Sequence, residues 1–269
     1  MVRLVRLPNA DGIFWDPYNR IIEPEALNGS DVVIHLAGES VAERWNNEKK
    51  MRILSSRVQG TSLIASTLAS LPRPPKVFIA ASAIGYYGER GAEILTEDSA
   101  AGTNFLSQVC LQWEAATDSA RAAGIRTCNA RFGIVLSTSG GAFPRMLAPF
   151  QLGAGGRLGT GKQYMSWIAL PDTMAALNYM VTNAHLSGPI NVVSPQPVSN
   201  SDFTEILAHV LRKPALLPVP ISMAHLAFGK EMADAVLLCS ARVVPEKLSL
   251  AGFEFRHHAL NTAFSEMLV

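Results

Sequence analysis

The stretch DVVIHLAGES, residues 31–40, decides the fold class of this chain. The run from Val32 to Leu36 is apolar apart from one histidine, is too short for a helix, and is followed at once by Ala37-Gly38. Such a run is typical of a strand that is buried on both faces of a parallel sheet. A second run of this kind, residues 76–81, leads into Ser82-Ala-Ile-Gly-Tyr-Tyr-Gly88. Because open α/β sheets bind ligands at the carboxyl ends of their strands, the sequence predicts a nucleotide-binding α/β protein.

Length and composition fit one large core with a small satellite lobe. The chain has 269 residues, a hydrophobic fraction of 48% and a formal net charge of +1. This charge gives no reason to expect nucleic acid or an acidic membrane surface as a partner. No apolar run approaches the roughly 18–20 residues that span a bilayer, and the N-terminus lacks the apolar segment of a signal peptide. The three cysteines match neither zinc-ligand spacing nor a disulfide framework, so we expect no metal, buried thiols and a cytoplasmic location.

Strands and helices alternate along the first two thirds of the chain. We expect a long helix from about Asn47 to Leu71, and a second helix that is capped by Asn104 and runs to about Ala123. A strand is expected over Arg126–Phe132, and residues 133–163 are interpreted as an irregular, glycine-rich segment. The alternation predicts a Rossmann-type parallel sheet flanked by helices.

The final third departs from this rhythm and is mostly helical after Ser199. We therefore divide the chain into two parts. Residues 1–168 form a dinucleotide-binding domain, and residues 169–269 form a mixed segment that completes the sheet and supplies a small, mostly helical C-terminal lobe.

The segment Gly156-Arg-Leu-Gly-Thr-Gly-Lys162 has the spacing of a phosphate-binding P-loop. A P-loop follows a strand, precedes a helix and has Ser or Thr after the lysine, whereas Gln163 stands here. We interpret the segment as a flexible loop near the site.

Ser82 and Tyr86 are the candidate catalytic residues, because each places a hydroxyl just beyond a predicted strand end. The alternative is a turn in which Tyr86 and Tyr87 only pack. Arg131 ends a strand on the same side, where it would either grip a phosphate or carboxylate or form a structural ion pair. Glu114, on a helix, is interpreted as a solvated or salt-bridged carboxylate.

We assign no catalytic or metal-binding role to His35, His257 or His258. His35 lies in an apolar strand and is interpreted as a core residue. His257 and His258 have no acid or cysteine at ligand spacing and are interpreted as surface residues.

Eight motifs that follow one another along the chain resemble one family. They are HLAGES (35–40) with Arg44-Trp45, SSRVQGT (55–61), SAIGYYG (82–88), LTEDS (95–99), VCLQWE (109–114), SGGAFPRML (139–147), KQYMSWI (162–168) and KEMADA (230–235). On these motifs the chain resembles the atypical short-chain dehydrogenase/reductases of the NAD-dependent epimerase/dehydratase-like branch.

The resemblance implies a Rossmann-type sheet that binds NADP, with NAD as the alternative, and a small-molecule substrate. It implies that Arg6 holds the adenosine 2′-phosphate and that the loop after residue 35 lies along the ribose and pyrophosphate. The implied cofactor-binding residues are Arg6, Leu36, Ala37, Gly38, Ala81, Arg131 and Gly133. The implied substrate pocket is lined by Glu39, Tyr87, Gln163 and Trp167, together with Tyr86.

The chain departs from the pattern of this family in three places. The first strand and its glycine-rich loop are not found before residue 31, so the sheet is expected to lack them. No register supplies the family's Tyr-x-x-x-Lys pair, because Leu106 and Cys110, or Phe105 and Val109, stand at those positions. After Trp167-Ile168, relatives have a histidine and two acids, whereas this chain keeps only Asp172.

The leading hypothesis is therefore an NAD(P)-dependent oxidoreductase or epimerase-like protein that acts on an unknown small molecule without the usual dyad. The competing hypothesis is a non-catalytic dinucleotide-binding or sensing module. A third is a degraded fragment with neither property.

Overall fold

A computed structural model describes residues 1–7, 10–215 and 217–268. In this part of the chain the strands alternate with helices along the sequence, as predicted. The strands are β1 (Leu4–Val5), β2 (Ile13–Asp16), β3 (Ile21–Ile22), β4 (Val32–His35), β5 (Val77–Ala83), β6 (Ile94–Leu95), β7 (Arg126–Phe132), β8 (Ile134–Leu136), β9 (Tyr164–Met165), β10 (Trp167–Ala169), β11 (Gly188–Val192), β12 (Val198–Ser199) and β13 (Arg242–Val243).

The helices of the same residues flank these strands. They are α1 (Pro24–Leu27), α2 (Asn47–Ser70), α3 (Phe105–Ala115), α4 (Asp118–Ala122), α5 (Phe143–Gln151), α6 (Leu170–Thr182), α7 (Asn200–Leu211), α8 (Ile221–Phe228), α9 (Lys230–Met232), α10 (Glu246–Leu250) and α11 (Leu260–Leu268). A 3₁₀ turn, Ile84–Tyr86, follows β5, and a π-helical turn, Ala233–Leu237, follows α9.

The central sheet is parallel and has the strand order β11-β7-β5-β4. Its two inner strands, β5 and β7, are buried on both faces, with successive residues facing opposite layers. Phe78 packs in the cluster under α2 and α4, and its neighbour Ile79 packs in the cluster under α6 and α10. The predicted Rossmann-type sheet with flanking helices is confirmed.

The long helix α2 starts and packs for local reasons. The side chain of Asn46 accepts a hydrogen bond from the backbone N–H of Lys49 at 2.7 Å, which caps the first turn. Gly60 lets the helix pack closely on Trp15 of β2 and His35 of β4, because a Cβ there would lie 3.3 Å from the Trp15 ring and 3.6 Å from His35 Nε2. His35, beneath the same helix, is 4% exposed and packs edge-on against Trp15, so the core interpretation is confirmed. Burial lowers the pKa of His35 to about 4, so its ring is neutral at pH 7.

The strand β4 lies at an edge of the central sheet among the described residues. It pairs with β5 alone, and Ile34 is 44% exposed on it. The strands β1, β2 and β3 form a separate small sheet, which packs through Trp15 into the same cluster as Val33. The expected lack of a first strand and glycine loop stays a prediction.

Two sequence-based boundaries are corrected. The helix capped by Asn104 ends at Ala115, and α4 follows it as a separate element before Gly124. The interpretation of residues 133–163 as irregular is wrong for the parts that form β8 and α5. The helix α5 packs Phe143, Leu147 and Phe150 into the core at helical spacing, a periodicity that the neighbouring glycines obscured.

The glycine-rich segment 156–162 is not a flexible loop, because its backbone is paired. The N–H of Gly159 donates to the carbonyl of Val219, and the N–H of Val219 donates to the carbonyl of Arg157. A Cβ on Gly156 would lie 1.9 Å from the Leu217 carbonyl oxygen. The glycines therefore allow two chain segments to approach closely, and these amide groups are occupied within the protein.

The C-terminal lobe is fastened to the sheet layer through a buried histidine. His257 is 3% exposed, with Nδ1 2.9 Å from Asp172 Oδ2 and Nε2 3.0 Å from Glu266 Oε2. The prediction that His257 is a surface residue is wrong because its acidic neighbours, Asp172 of α6 and Glu266 of α11, are 85 and 9 residues away along the chain and meet it only in the folded protein. His258 is exposed, as predicted. The division at residue 168 stays a prediction, and its second part includes residues 216 and 269, outside the described ones. Among the described residues, no helix is both long and apolar enough to cross a membrane.

Candidate functional site

The carboxyl ends of the central strands meet at one edge of the sheet because the strands are parallel. The loop after β4 is the most open part of this edge. Leu36 is 54% exposed, and Ala37 and Gly38 are exposed beside it. The predicted ribose- and pyrophosphate-binding residues thus present an accessible backbone of small residues.

Glu39 fastens this loop to α2. Its carboxylate lies 2.7 Å from Lys49 Nζ, and its backbone N–H donates to Ser56 Oγ. Lys49, which is 2% exposed, also pairs with Glu43 at 2.8 Å. The hydrogen bond from Lys49 lowers the pKa of Glu39. The predicted pocket residue therefore holds the loop in place as an ionised carboxylate.

Arg57 of α2 lies directly against Gly38. A Cβ on Gly38 would lie 3.3 Å from the Arg57 Cζ, so glycine lets the guanidinium lie flat beneath the loop. Its Nη1 donates to the carbonyl oxygens of Glu39 and Ile53 at 2.9 and 3.1 Å. On the side of α3, the guanidinium stands 4.9 Å from the Trp113 ring centroid.

The predicted residues Ser82 and Arg131 share one carboxylate. Ser82 and Arg131 are register partners on β5 and β7, and both are 2% exposed. Ser82 Oγ donates to Glu114 Oε1 at 2.7 Å, and Arg131 holds both oxygens of Glu114. Of the two alternatives for Arg131, the structure shows the ion pair, and Glu114 is a salt-bridged carboxylate.

The hydrogen bonds that join Ser82, Glu114 and Arg131 continue through Tyr87 to β11. Arg131 Nη1 donates to the Tyr87 hydroxyl, which donates to Asn191 Oδ1 at 2.7 Å. The N–H of Asn191 donates to Glu97 Oε1, while Glu97 Oε2 is enclosed without a partner among the described residues. Burial raises the pKa of Tyr87 to about 12, so its hydroxyl keeps its proton. The Tyr87 side chain is fully buried. Its assignment to the substrate pocket stays a prediction.

Tyr86 lies beside this network but reaches a cavity. Its ring stacks on Arg131, with the Cζ 3.5 Å from the ring centroid. The cavity has a volume of about 400 Å³. Its lining consists of Tyr86, Leu111, Glu114, Ala115, Asp118, Arg121, Asn129, Gly188 and Pro189. Tyr86 is half-buried and Ser82 is 2% exposed, so Tyr86 is the more accessible of the two candidate catalytic residues.

The other predicted site residues are dispersed. Arg6 is exposed after β1, with its guanidinium 5.3 Å from the Tyr18 ring centroid. Ala81 is buried in β5. Gly133 meets the backbone of the segment before β10, because a Cβ there would lie 2.6 Å from the Ser166 carbonyl oxygen. Their cofactor roles stay predictions.

Gln163 and Trp167 make their contacts within the protein. Gln163 is 8% exposed and donates to the Leu158 carbonyl, and Trp167 is fully buried and donates to the Gln196 carbonyl. Their role in a substrate pocket stays a prediction.

Sequence reasoning missed Arg57, although a signal was present. The buried face of α2 contains Ile53, Gly60 and Ile64, at the spacing i, i+7 and i+11. Arg57 lies at i+4 on that same face. A cation on the inner face of an amphipathic helix is the kind of exception that marks a candidate site. Asn191 and Glu97 carried no comparable signal.

Comparisons with known proteins define the class to which this chain belongs. A model described as the NAD dependent epimerase/dehydratase family matches residues 18–193, and a domain of unknown function, DUF1731, matches residues 219–267. The chain therefore belongs to the NAD-dependent epimerase/dehydratase family, in its atypical short-chain dehydrogenase/reductase branch.

Within this family the chain is similar to proteins named epimerase family protein. One from Mycobacterium tuberculosis is 38% identical over 98% of this chain and 87% of its own length. SDR39U1 from Homo sapiens is 31% identical over 98% of this chain and 89% of its own length. YfhF from Bacillus subtilis is 39% identical over 88% of this chain and 78% of its own length.

Solved structures agree with the fold. The crystal structure of human SDR39U1 isoform 2 with NADPH has a TM-score of 0.86 at 29% identity, over 98% of this chain and 89% of that chain. A nucleoside-diphosphate sugar epimerase from Corynebacterium glutamicum has a TM-score of 0.81 at 37% identity, over 99% of this chain and 52% of that chain.

Proposed function

We propose that this protein binds a nicotinamide dinucleotide at the carboxyl edge of its central sheet and acts on a small molecule as an oxidoreductase or epimerase-like enzyme. The observation that carries the proposal is the exposed loop Leu36–Gly38 with Arg57 beneath Gly38. The residues present fit the cofactor, since Ala37 and Gly38 add little bulk and a guanidinium supplies donors for a polyanion.

NADP is the preferred cofactor, with NAD as the alternative. The related human protein was solved with NADPH, and Arg6 is an exposed cation just after β1. A guanidinium there can bind the 2′-phosphate that distinguishes the two cofactors. When bound, the nicotinamide ring supplies the hydride-transfer chemistry of such an enzyme.

The chain's own residues limit how a proton could move. Burial raises the pKa of the Cys110 thiol to about 12, so it is no proton relay. Ser82 already donates to Glu114, which leaves the Tyr86 hydroxyl as the more available donor. A substrate carbonyl would therefore receive its proton from Tyr86, with Ser82 orienting the carboxylate beneath.

A second candidate function, dinucleotide binding without turnover, is favoured by one specific observation. Leu106 and Cys110 stand where the family places its tyrosine and lysine, and Cys110 is buried. Calorimetric titration with NADPH and NADH tests binding, and absorbance assays of hydride transfer with a panel of carbonyl substrates test turnover. Binding with turnover supports the enzyme, binding without turnover supports the sensing module, and no binding contradicts both.

A further inference from the structure

The cavity beside Tyr86 lies on one face of the sheet, away from the loop of the candidate cofactor site. Its floor is formed by Asn129 of β7 and Pro189 of β11, which are register partners. Its walls come from the C-terminal half of α3 and from α4, and none of the described lining residues belongs to the loop Leu36–Gly38 or to α2. A volume of about 400 Å³ is in the range of small-molecule sites. The cavity is therefore a separate candidate site.

Asn129 faces this cavity with an unused hydrogen-bond donor. The side chain is 2% exposed, and its Oδ1 lies 3.4 Å from Thr117 Oγ1. Its Nδ2 donates to no described residue, yet it is not among the enclosed polar atoms that lack a partner. Buried polar groups are normally hydrogen-bonded, so the free side of this amide points to a ligand that accepts a hydrogen bond.

Glu114 supplies a matching acceptor on the wall of the cavity. Its carboxylate already accepts hydrogen bonds from Ser82 Oγ and from Nε and Nη2 of Arg131. A carboxylate has roughly four acceptor positions, so one position remains. The side chain is 13% exposed and lines the cavity. A ligand that donates one hydrogen bond and accepts another would satisfy both Glu114 and Asn129.

The charges around the cavity are neutralised within the protein. Arg131 pairs with Glu114 at 2.8 Å, and Arg121 pairs with Asp118 at 2.6 Å. A charged ligand would lose its hydration here and would have to compete with these pairs for a counter-ion, which opposes its binding. The rest of the lining is largely apolar and is formed by Leu111, Ala115, Gly188, Pro189 and the ring of Tyr86. The lining therefore suits a neutral ligand with an apolar body.

We propose that this cavity binds a small neutral ligand that carries an amide group on an apolar body. The amide carbonyl would accept from Asn129 Nδ2, the amide N–H would donate to Glu114, and the apolar body would lie against Leu111 and Pro189. An amide group suits the two free positions because it presents an acceptor and a donor side by side. This inference does not rest on the proposed function, because no group of the cofactor takes part in it.

Three probes of one shape test the ligand class. Benzamide is neutral, benzoate carries a negative charge and benzamidine carries a positive charge, all on the same ring. Each probe would be titrated into isotope-labelled protein while the side-chain amide resonance of Asn129, identified by its loss in Asn129→Ala, is followed by NMR. We expect benzamide to shift this resonance saturably and to bind more tightly than either charged probe.

Two variants and a matched control locate the binding, with affinities read from the backbone amide of Gly188. Asn129→Ala should weaken benzamide about three- to tenfold, the range for the loss of one neutral hydrogen bond. Leu111→Trp, at a position that is 37% exposed, should weaken benzamide by filling the cavity. The control is Asn183→Ala, because Asn183 is half-buried and lines a different cavity. This variant should bind benzamide as the unchanged protein does.

A benzamide titration in excess NADH separates this cavity from the cofactor site. NADH should leave the affinity for benzamide unchanged, because the cavity shares no described residue with the loop Leu36–Gly38. Displacement of benzamide by NADH, equal binding of the three probes, unchanged affinity in either folded variant, or the lack of a saturable shift would each overturn the proposal.

Discussion

Arg131 and Glu114 form a two-bond ion pair beneath the carboxyl edge of the sheet, with Nε 2.8 Å from Oε1 and Nη2 2.9 Å from Oε2. The pair joins β7 to α3, and Ser82 adds a third hydrogen bond from β5. Arg131, Ser82 and Asn191 are register partners on three neighbouring strands. The pair thereby ties together the strand ends that would carry the cofactor.

We expect Glu114→Ala to destabilise the folded protein by about 3–5 kcal/mol, because it leaves Arg131 charged and buried without its partner. Urea unfolding in the absence of any ligand measures the loss. Arg121→Ala, which breaks the exposed pair with Asp118, is the control and should cost less than about 1 kcal/mol. Similar costs for the two variants would show that the buried pair contributes no more than a surface pair.

Glu97 should make stability fall as pH rises above the acidic range. Burial raises the pKa of Glu97 above 4.5, although hydrogen bonds from the backbone of Asn191 and Lys247 oppose this effect. The folded protein therefore keeps this proton to a higher pH than the unfolded chain. The associated stability is present below pH 4.5 and is lost as pH rises through the folded pKa.

Glu97→Gln removes this titration while keeping an oxygen for the two backbone donors. Urea unfolding from about pH 4 to pH 8 should show the stability of the variant rising, relative to that of the unchanged protein, as the pH increases. Because the other carboxylates are common to both proteins, the difference between the two curves isolates Glu97. Parallel curves would mean that Glu97 titrates at an ordinary pH.

Gly133→Ala should destabilise the protein before any ligand is added. The new Cβ would lie 2.6 Å from the Ser166 carbonyl oxygen and 2.8 Å from Val193. Overpacking of this kind costs about 1–3 kcal/mol. Gly140→Ala is the control, because a Cβ there meets nothing within 4 Å. Thermal unfolding compares the two variants with the unchanged protein. Equal melting temperatures for the two variants would contradict a packing role for Gly133.

Hydrogen exchange should rank the strands by how they are paired. The strands β5 and β7 have partners on both sides, so their amides should exchange most slowly. Amides of β4, which pairs on one side, should exchange faster, and those of β1 fastest because this edge strand has two residues. Protection of Val5 equal to that of Ile79 would contradict this order.

If the protein catalyses hydride transfer, Tyr86→Phe should lower the rate roughly 10²–10⁴-fold, the usual contribution of a positioned general acid. Ser82→Ala should also slow the reaction, through the carboxylate that it orients. Cys110→Ala and Leu106→Ala should change packing and leave most of the rate. Steady-state assays of hydride transfer measure these rates. Full activity of Tyr86→Phe and Ser82→Ala, with loss of activity in Cys110→Ala, would refute the assignment of Tyr86 as the proton donor.

Much of the fold was predictable because its signals are local. The apolar run at 31–36 and the helical spacing of Ile53, Ile64 and Leu68 depend only on neighbours within a few residues. The cap at Asn104 is equally local, and the structure shows it. The helix α5 was missed because glycines flank it and because it contains Pro144 and Pro149, a composition typical of a loop.

The sequence by itself determined the layered parallel sheet and the edge at which the candidate site is predicted, since strand and helix periodicity follow from side-chain direction along one element. Only the tertiary structure decided which charges meet. Arg131 pairs with Glu114 on another element, and His257 is buried between Asp172 and Glu266. These outcomes depend on how separate helices and strands pack against one another, and the cost of burying an unpaired charge depends on the distances that this packing sets.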